Sequence, residues 1–247
     1  MALFSIRRLA RIPFFLASDL LLRLKHGPET PRKYQLLFVR PQDVCLNHIG
    51  SVGLLLQSPD RFSGAVDGGD WDCLERLNPQ CLEIRTVLEK RILEGLSWED
   101  SGEIDRMLSL VDREGSFDHC KSLEDVTQRN RNLDKIIAFV RGTGTLLTRR
   151  EMSAFAFREM DGIATVVARD GRLLLAYSGT HRLAIVQSLG APVIPVAIAL
   201  VHSECLTNGT WRTLLARSHS LEKEREALLE SAARVGTTEE HQAKRSI

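Results

Sequence analysis

Residues 163–202 read IATVVARDGRLLLAYSGTHRLAIVQSLGAPVIPVAIALVH, and the order of strand, turn and helix signals within them decides the fold. Ile163–Ala168 is a β-branched run, Asp170-Gly171 is a hairpin signal, and Arg172–Tyr177 is apolar enough to predict a second, buried strand. Ser178-Gly179-Thr180 then turns sharply into a helix predicted over His181–Leu189 and closed by Gly190. Val193–Val201 predicts a further strand, and Pro195, which lacks an N–H, suggests that this strand lies at an edge or carries a bulge.

A tight turn that leads from a strand into a helix leaves the first backbone N–H groups of the helix unpaired and aims them, with the positive end of the dipole, at the mouth of the turn. An anion suits that position. Gly179 lets the backbone approach a phosphate closely, Thr180 offers a hydroxyl, and His181 and Arg182 place a titratable and a permanent cation beside it. The same residues also read as a simple capped helix behind a hairpin, with Arg182 in a surface ion pair.

Tyr177 to Gly190, followed by Ile194-Pro195-Val196, resembles the core motif of the ParB/sulfiredoxin-like superfamily: strand, a Gly-x-(His/Arg)-Arg turn, helix, Leu-Gly, then Ile-Pro-Val. The likeness covers Ile163–His202 and is weak elsewhere. It implies an α+β fold with a mixed sheet, and a nucleotide (ATP, ADP or CTP) whose phosphates sit at Ser178, Gly179, Thr180, His181 and Arg182. The superfamily's chemistries include CTP hydrolysis, ATP-dependent sulfinate repair, phosphorylation of free serine and nuclease activity. Sulfiredoxins carry a cysteine where this chain has Thr180, so the nucleophile for sulfinate repair is missing. Chromosome-partitioning ParB proteins carry Glu there and a following helix-turn-helix domain, whereas 45 residues follow His202. The resemblance therefore points towards a stand-alone ParB-like protein, closer to the small-molecule kinases of the superfamily than to its DNA clamps.

Phosphoryl transfer also needs carboxylates to hold Mg²⁺ and to orient or deprotonate an acceptor. Asp67, Asp70 and Asp72 crowd around Gly68-Gly69, with Asp70 and Asp72 as metal ligands and one of the three, or His181, as the catalytic acid or base. A solvated turn explains the same composition. Trp71 would stack on a base or anchor the loop, and both readings are open. Weaker candidates are Trp98-Glu99-Asp100 in the first turn of a predicted helix, His202 at a strand end, and Arg149-Arg150.

Outward from this core, Tyr34–Val39, Asp43–His48 and the run entering the acidic turn from Phe62 predict short strands. Helices are predicted over Leu82–Glu94, from a Ser97 cap to Val111, and from a Ser122 cap to Gly142, so a helical region of about residues 80–142 interrupts an α/β domain spanning 34–205. Leucines beyond Trp211 predict one or two helices over 210–247, ending in a polar tail from Thr237. Residues 1–27 form a basic segment, with Arg7, Arg8, Arg11, Arg23 and Lys25 around apolar runs too short to span a bilayer. It reads as a helix packed on the body, a targeting segment, or a peripheral contact with a membrane or partner.

Composition excludes several classes. The chain has 247 residues, 43% of them hydrophobic, and a formal charge of +1, so no global field attracts nucleic acid. Its 5 cysteines are scattered and never spaced C-x-x-C, which fits a reducing, cytoplasmic setting and argues against a structural zinc site.

Overall fold

The computed structural model describes residues 12–49, 65–73, 75–77, 79–153, 158–159, 162–176 and 178–243. In chain order these form α1 (Ile12–His26), β1 (Gln35–Val39), β2 (Val44–Cys45), β3 (Asn47–Ile49), β4 (Ala65–Asp67), β5 (Glu75–Leu77), α2 (Pro79–Leu93), α3 (Glu103–Glu114) and α4 (Leu123–Thr143). Then follow α5 (Arg149–Met152), β6 (Ala164–Val167), β7 (Leu173–Leu175), α6 (Thr180–Ser188), β8 (Ile194–His202), α7 (Ser203–Thr207) and α8 (Thr210–Ala243). The protein is α+β with a mixed sheet, as the sequence predicts. The sequence-predicted strand start at Phe62, Tyr177 of the turn motif and the outermost basic residues Arg7, Arg8 and Arg11 lie outside the described residues.

The chain divides into two bodies: Met1–Asn78, Leu147–Thr180 and Val193–Arg225 make the first, and Pro79–Leu146, His181–Pro192 and Glu226–Ile247 the second. The first holds a six-stranded sheet in the order β1-β8-β6-β7-β2, with β4 also pairing with β8. β6 and β4 run parallel to β8, β1 runs antiparallel to it, and β7 folds back on β6 through the turn at Gly171. Every residue of β6, β7 and β8 is buried, which is why these strands read as continuous apolar runs rather than alternating ones.

β8 is the hub of the sheet rather than an edge, and of the two alternatives raised by Pro195 the bulge is the one the strand carries: its register with β6 shifts between Thr165 and Val166, which face Ile198 and Leu200. The ladder with β6 begins at Ala197, two residues past Pro195. On the β1 side Pro195 faces Phe38, whose N–H turns away to donate to Ser218 Oγ at 2.8 Å. A missing donor is thus placed where a ladder bond is not needed. Trp71, Ala164, Val166, Leu174 and Leu200 form one core cluster, and Phe38, Val193 and Leu221 another.

α1 enters this core through Phe15, whose ring meets Tyr34 edge-on at 5.8 Å, and through the buried Asp19. That carboxylate accepts from the Lys33 N–H at 3.0 Å and from Arg158 Nη2 at 2.6 Å. Near the start of α8, Trp211 is buried and donates from its indole to Glu29 O at 2.8 Å. α8 continues through Ala243, well into the predicted polar tail, on a stretch rich in helix-favouring Glu, Gln and Ala.

In the second body, α2, α3 and α4 bury apolar residues at helical spacing, among them Ile84, Leu88, Met107, Val111, Leu133 and Ile137. Ser122 caps α4 as predicted, accepting from the Asp125 N–H at 3.2 Å. The helix predicted from Ser97 instead starts at Glu103. Ser97 caps only a turn, because Gly102, at φ 87°, takes a left-handed conformation that an α-helix cannot contain.

Candidate functional site

The turn motif starts in the first body. β7 returns the chain to the beginning of β6: Ala176 N–H donates to Ala164 O, Ala164 N–H to Ser178 O, and Ser178 Oγ to Gly162 O at 3.0 Å. Gly179 follows at φ 93°, and a Cβ built on it would lie 2.6 Å from the Ile163 Cα. Dihedral and space both demand glycine here. A glycine directly before α6 has no side chain with which to cap the first turn of that helix.

The motif continues in the second body, where His181 is held by the helical region. Arg129 Nη2 lies 2.7 Å from His181 Nε2, and because arginine only donates, that ring nitrogen must be an unprotonated acceptor. Burial pushes the His181 pKa down and the Arg129 charge adds to this, against an opposing pull from Glu103, 3.8 Å away. Glu103 itself accepts from Arg106 Nε at 2.8 Å and from Arg129 Nη1 at 3.0 Å. Burial raises its pKa, but the hydrogen bonds from Arg106 and the charges of Arg106 and Arg129 outweigh this and hold the carboxyl down to about 2. Arg129 also binds Asp118 at 2.7 Å, in a turn where Asp118 and His119 both take positive φ. Nothing local in the sequence signals this assembly beyond the i,i+3 spacing of Glu103 and Arg106.

The acidic loop lies elsewhere in the first body. β4 pairs Asp67 with His202, and β6 pairs Ala164 with Ala197 and Val167 with Val201. The loop from Asp67 to Asp72 therefore follows the C-terminal ends of β4 and β8, while Ser178 and Gly179 sit at the N-terminal start of β6. At about 3.3 Å per residue the length of β6 puts roughly 10 Å of strand between these two ends. The register does not bring Asp67, Asp70 and Asp72 to the turn.

Within the loop, Arg169 organises the aspartates. Its guanidinium bonds both Asp72 oxygens, at 2.7 and 3.0 Å, and reaches Asp70 Oδ1 at 2.9 Å, while its backbone N–H donates to Asp72 Oδ2 at 2.9 Å. Burial raises the Asp72 pKa, but the Arg169 hydrogen bonds prevail and hold it down to about 2. Asp70 is 84% exposed, and Asp67 is exposed with one oxygen turned onto the Gly68 N–H. Trp71 is buried and donates to Asp67 O at 3.4 Å, so it anchors the loop. His202 is fully buried beside the Trp71 ring: Nδ1 accepts from the Glu204 N–H at 3.2 Å, so Nε2 carries the proton and donates to Gly69 O at 2.8 Å. Both nitrogens are thereby committed to holding the strand end.

Of the remaining candidates, the side chains of Trp98 and Asp100 have structural partners. Trp98 donates to Asp134 at 2.9 Å beneath the Arg91 guanidinium, and Asp100 bonds Ser97 Oγ at 2.8 Å. Arg149 and Arg150 open α5, where the Arg149 N–H donates to Glu159 at 2.9 Å. Among the described residues, no group of three or more His, Cys, Asp and Glu converges as a metal site. Compared with known proteins, the chain matches no protein-family model, no curated protein and no solved structure.

Proposed function

We propose that this chain is a nucleotide-binding protein with a ParB-like core, holding the phosphates of its nucleotide at Ser178, Gly179, Thr180, His181 and Arg182. The observation that carries the reading is Gly179, a position closed to any other residue, placed directly before a nine-residue helix. Such a turn exposes helical N–H groups to an anion, with His181 and Arg182 in the first turn of the helix. The resemblance implies the ligand class, ATP, ADP or CTP, and phosphoryl transfer would add Mg²⁺.

Two modes of action follow from that reading. In a Mg²⁺-dependent phosphotransferase or nucleotide hydrolase, Asp67 and Asp70, with exposed carboxylates, are the acidic residues best suited to meet a hydrated cation. The strand register, which keeps those residues at the other end of β6, favours the second mode, in which nucleotide occupancy switches a partner or DNA interaction and no phosphoryl group moves. Isothermal titration with ATP, ADP, CTP and GTP in Mg²⁺ tests the shared claim. The expected result is binding of at least one nucleotide, weakened about tenfold or more by Arg182→Ala. If no nucleotide binds in an Arg182-dependent way, the reading fails. Turnover with hydroxyl-bearing acceptors, abolished by Asp70→Asn, would establish the enzymatic mode over the switch.

A further inference from the structure

α1 is amphipathic in the inverted sense. On a helix advancing 100° per residue, Phe15 and Asp19 point into the first body, while Phe14, Leu16, Leu20, Leu21 and Leu24 point outward, each more than half exposed. A helix that packs on a body normally buries its leucines and shows water its charges. Here the body-facing side takes the carboxylate, and the solvent face is a continuous apolar strip carrying only Lys25 as an exposed charge. Single exposed leucines need no explanation, but five large apolar side chains on one 15-residue helix mark an interaction surface.

The charge around the strip decides what covers it. Among residues 1–28 the sole acidic side chain is Asp19, and it is buried against Arg158 at 2.6 Å. Arg7, Arg8, Arg11, Arg23 and Lys25 supply five positive charges over the same stretch. A two-fold contact with a second copy would set these like charges against each other. An acidic, apolar surface satisfies both features. No described helix is long and apolar enough to cross a bilayer. We infer that α1 is a membrane-surface helix: it lies in the plane of an anionic lipid interface, with Phe14, Leu20, Leu21 and Leu24 inserted among the acyl chains and the flanking arginines and Lys25 at the headgroups. The inference is independent of nucleotide binding.

The test is co-sedimentation of the full chain with phosphatidylcholine vesicles, with and without one part in three phosphatidylserine. Expected is binding to the phosphatidylserine vesicles that falls steeply with added salt, and little binding to phosphatidylcholine alone. Leu20→Asn/Leu21→Asn/Leu24→Asn changes exposed residues only, should keep the circular dichroism spectrum and melting temperature, and should lower partitioning at least a hundredfold. Arg8→Gln/Arg11→Gln/Lys25→Gln should lower it about a hundredfold, at roughly fivefold per charge. Absence of binding to anionic vesicles, or binding indifferent to both variants, overturns the inference. A concentration-dependent dimer in sedimentation velocity that the leucine variant abolishes, without vesicle binding, overturns it in favour of a second copy.

Discussion

Replacing Gly179 with alanine tests the geometry of the turn at its narrowest point. Two separate penalties apply. A non-glycine residue held at φ 93° is in a region L-residues avoid, at about 1 kcal/mol. The new Cβ would also lie 2.6 Å from the backbone Cα of Ile163, which has no soft side-chain end to yield, and overpacking of that kind costs about 1–3 kcal/mol. The expected loss is therefore about 2–4 kcal/mol. Gly27→Ala is the control: it has φ 96° but nothing within 4 Å of the added methyl, so only the first penalty of about 1 kcal/mol applies. Urea denaturation followed by tryptophan fluorescence, to which the buried Trp71 and Trp211 contribute, reads both variants. If the two differ by less than about 0.5 kcal/mol, the close approach to Ile163 is not a constraint and the reasoning about the turn fails.

Arg169→Met leaves the buried Asp72 carboxylate with the backbone N–H of residue 169 but without its counterion, and should lower the urea midpoint of the first body in the same assay. Acid should act through Glu103 and Asp72, whose folded-state pKa values of about 2 lie below their ordinary values of 4.5 and 3.8. The unfolded chain binds protons first, so stability is full above about pH 5 and falls as pH drops towards 2; about 3 kcal/mol is at stake for Glu103 alone. Stability measured against pH should show this loss, and Glu103→Gln should flatten it. The His181 ring, kept neutral against Arg129, should titrate below the ordinary histidine value of 6.5 in NMR spectra, and a midpoint above that value would refute the hydrogen-bond assignment.

The local rules of the sequence reached the elements better than their assembly. The β-branched run before Asp170-Gly171, the glycine after α6 and the Ser122 cap each announce themselves within a few residues, because hydrogen bonding of the neighbouring backbone sets them. Pro195 left an edge and a bulge both open because a missing N–H says only that one ladder bond is absent. Whether the rest of β8 is central depends on where β6 begins, and no nearby residue encodes that. The helix expected from Ser97 started late because a left-handed Gly102 outweighed a good cap. The turn at Gly179 was legible as a local motif. The Arg129–His181 contact joins positions 52 apart in sequence, and the Arg169–Asp72 clasp joins positions 97 apart, so neither leaves a spacing to read. Asp67, Asp70 and Asp72 are close in sequence, and their position at the far end of β6 follows only from strand register.

The central position of β8 also governs the time course of assembly. Leu37 pairs with Val196, about 160 positions later, and Ala65 with Leu200, so β1 and β4 wait for their shared partner while the residues between are made. At about 5–20 residues per second, that interval is on the order of ten seconds or more, during which Leu36–Val39 present an apolar edge with no sheet to join. Folding of the first body waits for β8 to be made, and until then β1 and β4 are open to pairing with other strands.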